Sequence, residues 1–171
     1  MKTFLFLLVL LSLSWPLSIA QDTLNINFGH VKETALYGGY SFNTGDTANK
    51  KSHIIELGIW KSNYVNHVEP VNFNYYIGNE FLIHDSKLAI GPKIGSYIGF
   101  WMLVLGTDLV YYTDFSENAL RLVPYFGFGG HSLKLTFNFY TDLSNKDFIY
   151  TNPVSVNVSF QLHSLRKQFL N

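Results

Sequence analysis

His131-Ser132-Leu133-Lys134-Leu135-Thr136-Phe137-Asn138-Phe139-Tyr140-Thr141 is the stretch whose reading decides the fold. Leu133, Leu135, Phe137 and Phe139 share one parity, and Lys134, Thr136, Asn138 and Tyr140 share the other. Successive side chains of a strand point to opposite faces, so this period of two describes a strand with one apolar and one polar side. The pattern returns at Val154, Val156, Val158, Phe160 and Leu162 against Ser155, Asn157, Ser159 and Gln161. It appears again at Val71, Phe73, Tyr75 and Ile77 against Asn72, Asn74, Tyr76 and Gly78. No segment carries the i, i+3, i+4, i+7 spacing of an amphipathic helix.

Extending the alternation along the chain gives eight strands, near 33–43, 52–61, 70–82, 87–95, 100–113, 118–128, 132–142 and 152–163. Turn-forming residues separate them at Asn43-Thr44-Gly45-Asp46, His84-Asp85-Ser86, Asp114-Phe115-Ser116-Glu117-Asn118, Gly129-Gly130 and Asn145-Lys146-Asp147. Pro70 and Pro153 stand at strand starts, where a missing N–H is tolerated. Pro124 falls inside the sixth strand and calls for a bulge. The expected fold is all-β: a single eight-stranded antiparallel up-and-down β-barrel of the outer-membrane type, spanning residues 21–165. Residues 21–32 form a lead-in or an extra strand, and 166–171 a C-terminal tail.

Residues 1–20 read as a secretory signal peptide. Lys2 supplies the positive start, Phe4 to Leu13 the apolar run, and Ser18-Ile19-Ala20 the small residues before a cut at Gln21. The chain has no cysteine, which excludes disulfides, thiolate metal sites and a lipid-modified cysteine. After residue 20 no apolar run approaches the roughly 18 residues of a membrane-spanning helix.

Alternation alone does not say which face points outward. Composition bears on it. Of the 171 residues, 14% are charged and 17% aromatic, with 15 Phe and 11 Tyr. A soluble domain needs a charged surface, and the polar face here is mostly Asn, Ser, Thr, Gly, Tyr and Gln. Its charges by parity are Glu56, Glu80, Lys93, Asp108, Arg121 and Lys134, a balanced set on different strands. Balance is what a closed lumen requires, because an unpartnered buried ion is expensive. Asp108 is expected to pair with Arg121 or Lys134. The other face carries Phe73, Tyr75, Phe81, Trp101, Tyr111, Phe126, Phe137, Phe139 and Phe160, which suit a lipid-facing wall with interfacial aromatic girdles. Trp60 shares parity with Glu56 and should point inward.

The signal segment, the short alternating strands, Pro92-Lys93-Ile94-Gly95, Tyr111-Tyr112-Thr113-Asp114-Phe115 and the alternating last strand resemble small outer-membrane β-barrel proteins of Bacteroidota-type bacteria. That resemblance implies fold and location, and no activity. It also implies outer-membrane lipid as surroundings and the barrel-assembly machinery as a partner during insertion. Arg166 to Asn171 departs from the pattern by running past the last strand.

With both termini in the periplasm, outer loops fall near 44–51, 83–86, 114–117 and 143–151, and inner turns near 62–69, 96–99 and 129–131. Chemistry is sparse. His30, His53, His67, His84, His131 and His163 form no metal or H-E-x-x-H motif, and no cofactor or metal is expected. His131-Ser132 invites comparison with barrel-embedded lipid A deacylases. Those pair His and Ser two residues apart on one face, whereas adjacent residues point oppositely. Gly127-x-Gly129-Gly130 lies between strands as a turn. No basic tract suggests nucleic acid. The expected role is non-enzymatic, structural or in surface interaction. A secreted lipocalin-like carrier of a small apolar ligand and a lipid-modifying barrel enzyme are the alternatives.

Overall fold

A computed structural model describes residues 29–43, 52–65, 71–84, 87–144 and 153–170. The segment read as a signal peptide, and most of the lead-in, lie outside them. The chain is all-β, with no helix among the described residues. The strands are β1 (His30–Asn43), β2 (Ser52–Val65), β3 (Val71–His84), β4 (Lys87–Phe100), β5 (Leu103–Thr113), β6 (Asn118–Gly129), β7 (Leu133–Phe139), β8 (Thr141–Asp142) and β9 (Val154–Leu170).

β1 to β7 pair antiparallel in sequence order, β7 pairs with β9 and β9 with β1, so the sheet closes in a ring, while the two-residue β8 pairs with β6. β7 and β8 are one traverse interrupted at Tyr140, which makes eight traverses among the described residues. Stepping across the paired strands, Val31, Tyr64, Asn72, Gly99, Val104, Gly127, Thr136, Asn157 and Ser41 stand opposite one another in turn. One circuit therefore returns to β1 ten residues from its start (Val31 to Ser41). Ten residues of about 3.3 Å rise against eight spacings of about 4.8 Å tilt the strands by roughly 40°.

The strand ends depart from the sequence reading for identifiable reasons. Residues 96–99, expected as a turn, lie within β4, and the reversal occurs at Trp101-Met102 with Trp101 at φ 56°. The glycines that flank this stretch make room inside the ring. Gly95 faces Asp108 and Tyr76, and Gly99 faces Asn72, at points inside the ring where a Cβ would collide with those side chains.

β9 continues through Leu170, so 166–170 are strand rather than tail, pairing with β1 from Thr34 back to His30. Two register shifts, one between Thr34 and Ala35 and one between Leu36 and Tyr37, insert Leu165 and Leu162 as extra residues. They break the alternation that would have revealed the extension. β1 likewise begins at His30, which makes the end of the lead-in an extension of the first strand.

Pro124 sits in an unshifted β5–β6 ladder, opposite Thr107. On its other side the ladder opens. β6 pairs β8 through Leu122 and β7 from Tyr125, and the Tyr140 N–H turns to the carbonyl of Pro153 at 2.8 Å. The missing proline N–H is met by a gap and not by a bulge.

Candidate functional site

The interior of the ring is where the charges meet. Glu56, Glu80, Lys93, Asp108, Arg121 and Lys134 are all buried, each 2–3% exposed. β2, β3, β4 and β5 deliver the first four to one height. Lys93 is the hub. Its ammonium donates to Glu56 Oε1 and, at 3.0 Å, to Glu80 Oε1, and it lies 3.5 Å from Asp108 Oδ2. The other oxygen of each carboxylate accepts from a hydroxyl: Glu56 Oε2 from Ser159 at 3.0 Å, Glu80 Oε2 from Tyr112, and Asp108 Oδ1 from Tyr76. One ammonium with three N–H donors thus serves three carboxylates. Three hydroxyls complete the set.

Lys134 reaches the same level from β7 and is held differently. It donates to the Tyr76 hydroxyl at 3.2 Å and lies 4.5 Å, 4.7 Å and 5.3 Å from the rings of Tyr76, Tyr125 and Tyr97. Ring faces carry negative charge and attract a cation, more strongly where water is excluded. Arg121 stands apart, 2.8 Å from Asp142 of β8 and 6.0 Å above the ring of Tyr112. Of the two partners expected for Asp108, Arg121 is not beside it, because the ten-residue stagger brings Lys93 to its height and Gly95 opposite leaves the space open; Lys134 lies in the same layer and reaches Asp108 through the Tyr76 hydroxyl they share.

Apolar layers cap this charged layer on both sides. Toward the 113/118 end lie Ile54, Leu82, Ala89, Val110, Tyr112, Ala119, Val123 and Tyr140. Toward the end that carries His30 and Leu170 lie Ala35, Tyr37, Trp60, Tyr76, Tyr97, Val104 and Tyr125. Trp60 points inward, and the Tyr37 ring stacks on it at 5.1 Å. Room for Tyr37 comes from the facing pair Gly58 and Gly78, where a Cβ on Gly78 would stand 2.6 Å from the Tyr37 hydroxyl. At the mouth, His131 folds inward and stacks on Tyr64 at 3.9 Å, while the Gly130 carbonyl accepts from Tyr97 at 3.0 Å. Tyr64 in turn donates to Glu33 at 2.8 Å. His131 is thus part of the stopper, not a free surface histidine. Ser132 beside it is exposed.

The outer wall is the reverse. Phe73, Tyr75, Trp101, Tyr111, Phe126, Phe137, Phe139 and Phe160 are exposed and Phe81 is half-buried. Between them runs a row of paired aliphatics, Leu36, Ile59, Ile77, Ile94, Leu109 and Leu122, across six strands. From β3 through β7 no outward strand position carries a charge. Sequence reasoning missed the tyrosines as structural donors inside, together with Glu33 and Asp142. The inward parity of Tyr76, Tyr112 and Tyr125 was the available signal.

The interior arrangement neutralises and locks; it leaves its carboxylates engaged. Among the described residues no group of three His, Cys, Asp or Glu is disposed to hold a metal ion. Comparison of the chain with protein-family models, curated proteins and solved structures gives no match.

Proposed function

We propose that this chain is an eight-stranded outer-membrane β-barrel, exported by residues 1–20, with a sealed lumen and a non-enzymatic role in envelope structure or surface interaction. The observation that carries the reading is the sorting of side chains. Isoleucines, leucines and phenylalanines cover the outside, Ile77 at 64% and Leu105 at 70% exposed, while lysines, carboxylates and asparagines fill the inside. In water this distribution is backwards. Each exposed aliphatic costs on the order of 1.5–3 kcal/mol relative to its burial. In lipid it is the arrangement of lowest free energy, because a closed ring satisfies every backbone group internally. The dimensions agree: β2, β3 and β4 each have 14 residues, which at roughly 40° of tilt stand about 35 Å tall, enough for the ~25 Å apolar band and both interfaces.

A lipocalin-like carrier needs the Leu133 and Phe137 face turned inward to line a ligand cavity; here that face is exposed. A lipid-modifying enzyme needs a nucleophile and base on one face near a rim, and Ser132 beside an inward-stacked His131 does not supply it. The reading is tested by refolding the mature chain in detergent and comparing boiled with unboiled samples on SDS gels. A closed membrane barrel resists SDS until heated, so the unboiled band migrates differently. A single band in both lanes, from protein that stays in solution without detergent, would overturn it.

A further inference from the structure

Among the described residues the outer wall carries one cluster of charge, and it has a single sign. Lys61 of β2 stands opposite Thr34 of β1, and Thr34 opposite Arg166 of β9. Lys32 lies two residues along β1, between Asn63 and Gln168. Outward parity places Lys32, Lys61 and Arg166 on the same face as Leu36 and Ile59, and all three are exposed. Neighbouring strands are about 4.8 Å apart, so Lys61 and Arg166 flank Thr34 with Cα atoms roughly 10 Å from each other. Thr34 carries no charge, so the space between the two cations is open to a phosphate group that long, exposed Lys and Arg side chains can reach.

No acidic side chain shares this face among the described residues. Glu33, Glu56, Glu80, Asp108 and Asp142 point inward, and Asp114 and Glu117 occupy the 113/118 turn at the opposite end. Lys167, the remaining cation of the segment, stands opposite Glu33 on the inner face, 5.7 Å from the Tyr64 ring. The two extra residues of β9, Leu162 and Leu165, set the register that puts Arg166 beside Thr34. One pair further along, Leu36 and Ile59 begin the aliphatic row, and Lys61 lies 5.8 Å from the ring of Tyr75. Cations, with an aromatic ring beside Lys61, therefore give way along the strands to an acyl-compatible wall, in the order of a lipid's headgroup region and chains.

We propose that Lys32, Lys61 and Arg166 form a binding site on the outer wall for an anionic glycerophospholipid of the leaflet facing the chain termini. The site rests on the membrane reading above. The phosphate and the headgroup's negative charge sit among the three cations, and the acyl chains lie along Leu36 and Ile59. Near a membrane surface each cation contributes about 1 kcal/mol, or roughly fivefold in affinity.

The test uses the mature chain in nanodiscs of phosphatidylcholine with phosphatidylglycerol, with co-purifying lipid measured by native mass spectrometry. Phosphatidylglycerol should be enriched on the protein. Each of Lys32→Gln, Lys61→Gln and Arg166→Gln lowers the preference roughly fivefold, and the triple variant abolishes it with the gel heat shift intact. Lys167→Gln leaves it unchanged. Insertion with a heat shift but without phosphatidylglycerol preference overturns the site and leaves the membrane reading standing. Equal loss with Lys167→Gln, or competition by soluble glycerol phosphate as strong as by the lipid, overturns a lipid site built on these three residues. A chain that fails to enter nanodiscs and stays soluble without detergent removes both proposals.

Discussion

Replacing Lys93 with methionine keeps the length of the side chain and deletes its charge. The ammonium faces Glu56, Glu80 at 3.0 Å and Asp108 at 3.5 Å, with no exposed surface of its own. With all five groups ionised, the central layer of Glu56, Glu80, Asp108, Lys93 and Lys134 holds three negative and two positive charges. Lys93→Met leaves three against one. Removing one partner of a buried ion pair costs about 3–5 kcal/mol. With a guanidinium slope of roughly 2–6 kcal/mol/M, the unfolding midpoint should fall by about 1 M. The assay is a guanidinium titration in lipid vesicles, followed by tryptophan fluorescence. Glu80→Gln removes the excess negative charge and keeps an acceptor for Tyr112, so it should cost under about 1 kcal/mol. Adding Glu56→Gln and Glu80→Gln to Lys93→Met leaves Asp108 with Lys134 and should recover most of the loss. Equal midpoints for Lys93→Met and Glu80→Gln would refute the reasoning, because they would mean that the layer is hydrated and not closed.

Gly78→Val puts a Cβ 2.6 Å from the Tyr37 hydroxyl and 2.7 Å from the Leu57 carbonyl, and overpacking of this kind costs about 1–3 kcal/mol in the same titration. The interior is filled at the charged layer and at the Tyr37 and Trp60 layer, so protein inserted in a planar bilayer should give no steady ionic conductance; discrete, long-lived openings would contradict a sealed lumen.

The two faces of each strand were legible in the sequence because the side-chain period is two and the apolar set keeps its parity through β3, β7 and the first half of β9. Partners were less legible. Parity assigns a face but not a height, and height is set by the ten-residue stagger of the closed ring. That is why Glu56, Glu80 and Asp108 could be placed inside while the contact of Asp108 with Lys93 was not foreseen. Gly95 and Gly99 resemble turn residues in sequence, but their missing Cβ atoms make room for Asp108 and Asn72. The turn that replaces them, Trp101-Met102, bears no glycine or asparagine to announce its positive φ. The closing half of β9 was hidden by the two bulges that pair it with β1. The cation cluster on the outer wall was hidden with it, since Arg166 joins Lys32 and Lys61 through that pairing alone.

The central claim is that the sheet is apolar outside and charged inside because its outside faces lipid. Residues 21–171 hold two tryptophans, Trp60 inside and Trp101 on an exposed turn. Trp101→Phe removes the second, and Ile94→Trp places a new one in the aliphatic row. Fluorescence in vesicles of lipids brominated on the acyl chains then reads both positions. The account predicts strong quenching of the tryptophan at position 94 and little of Trp60 in the Trp101→Phe background. Acrylamide in the aqueous phase should quench neither. Aqueous quenching at position 94 without lipid quenching would contradict it.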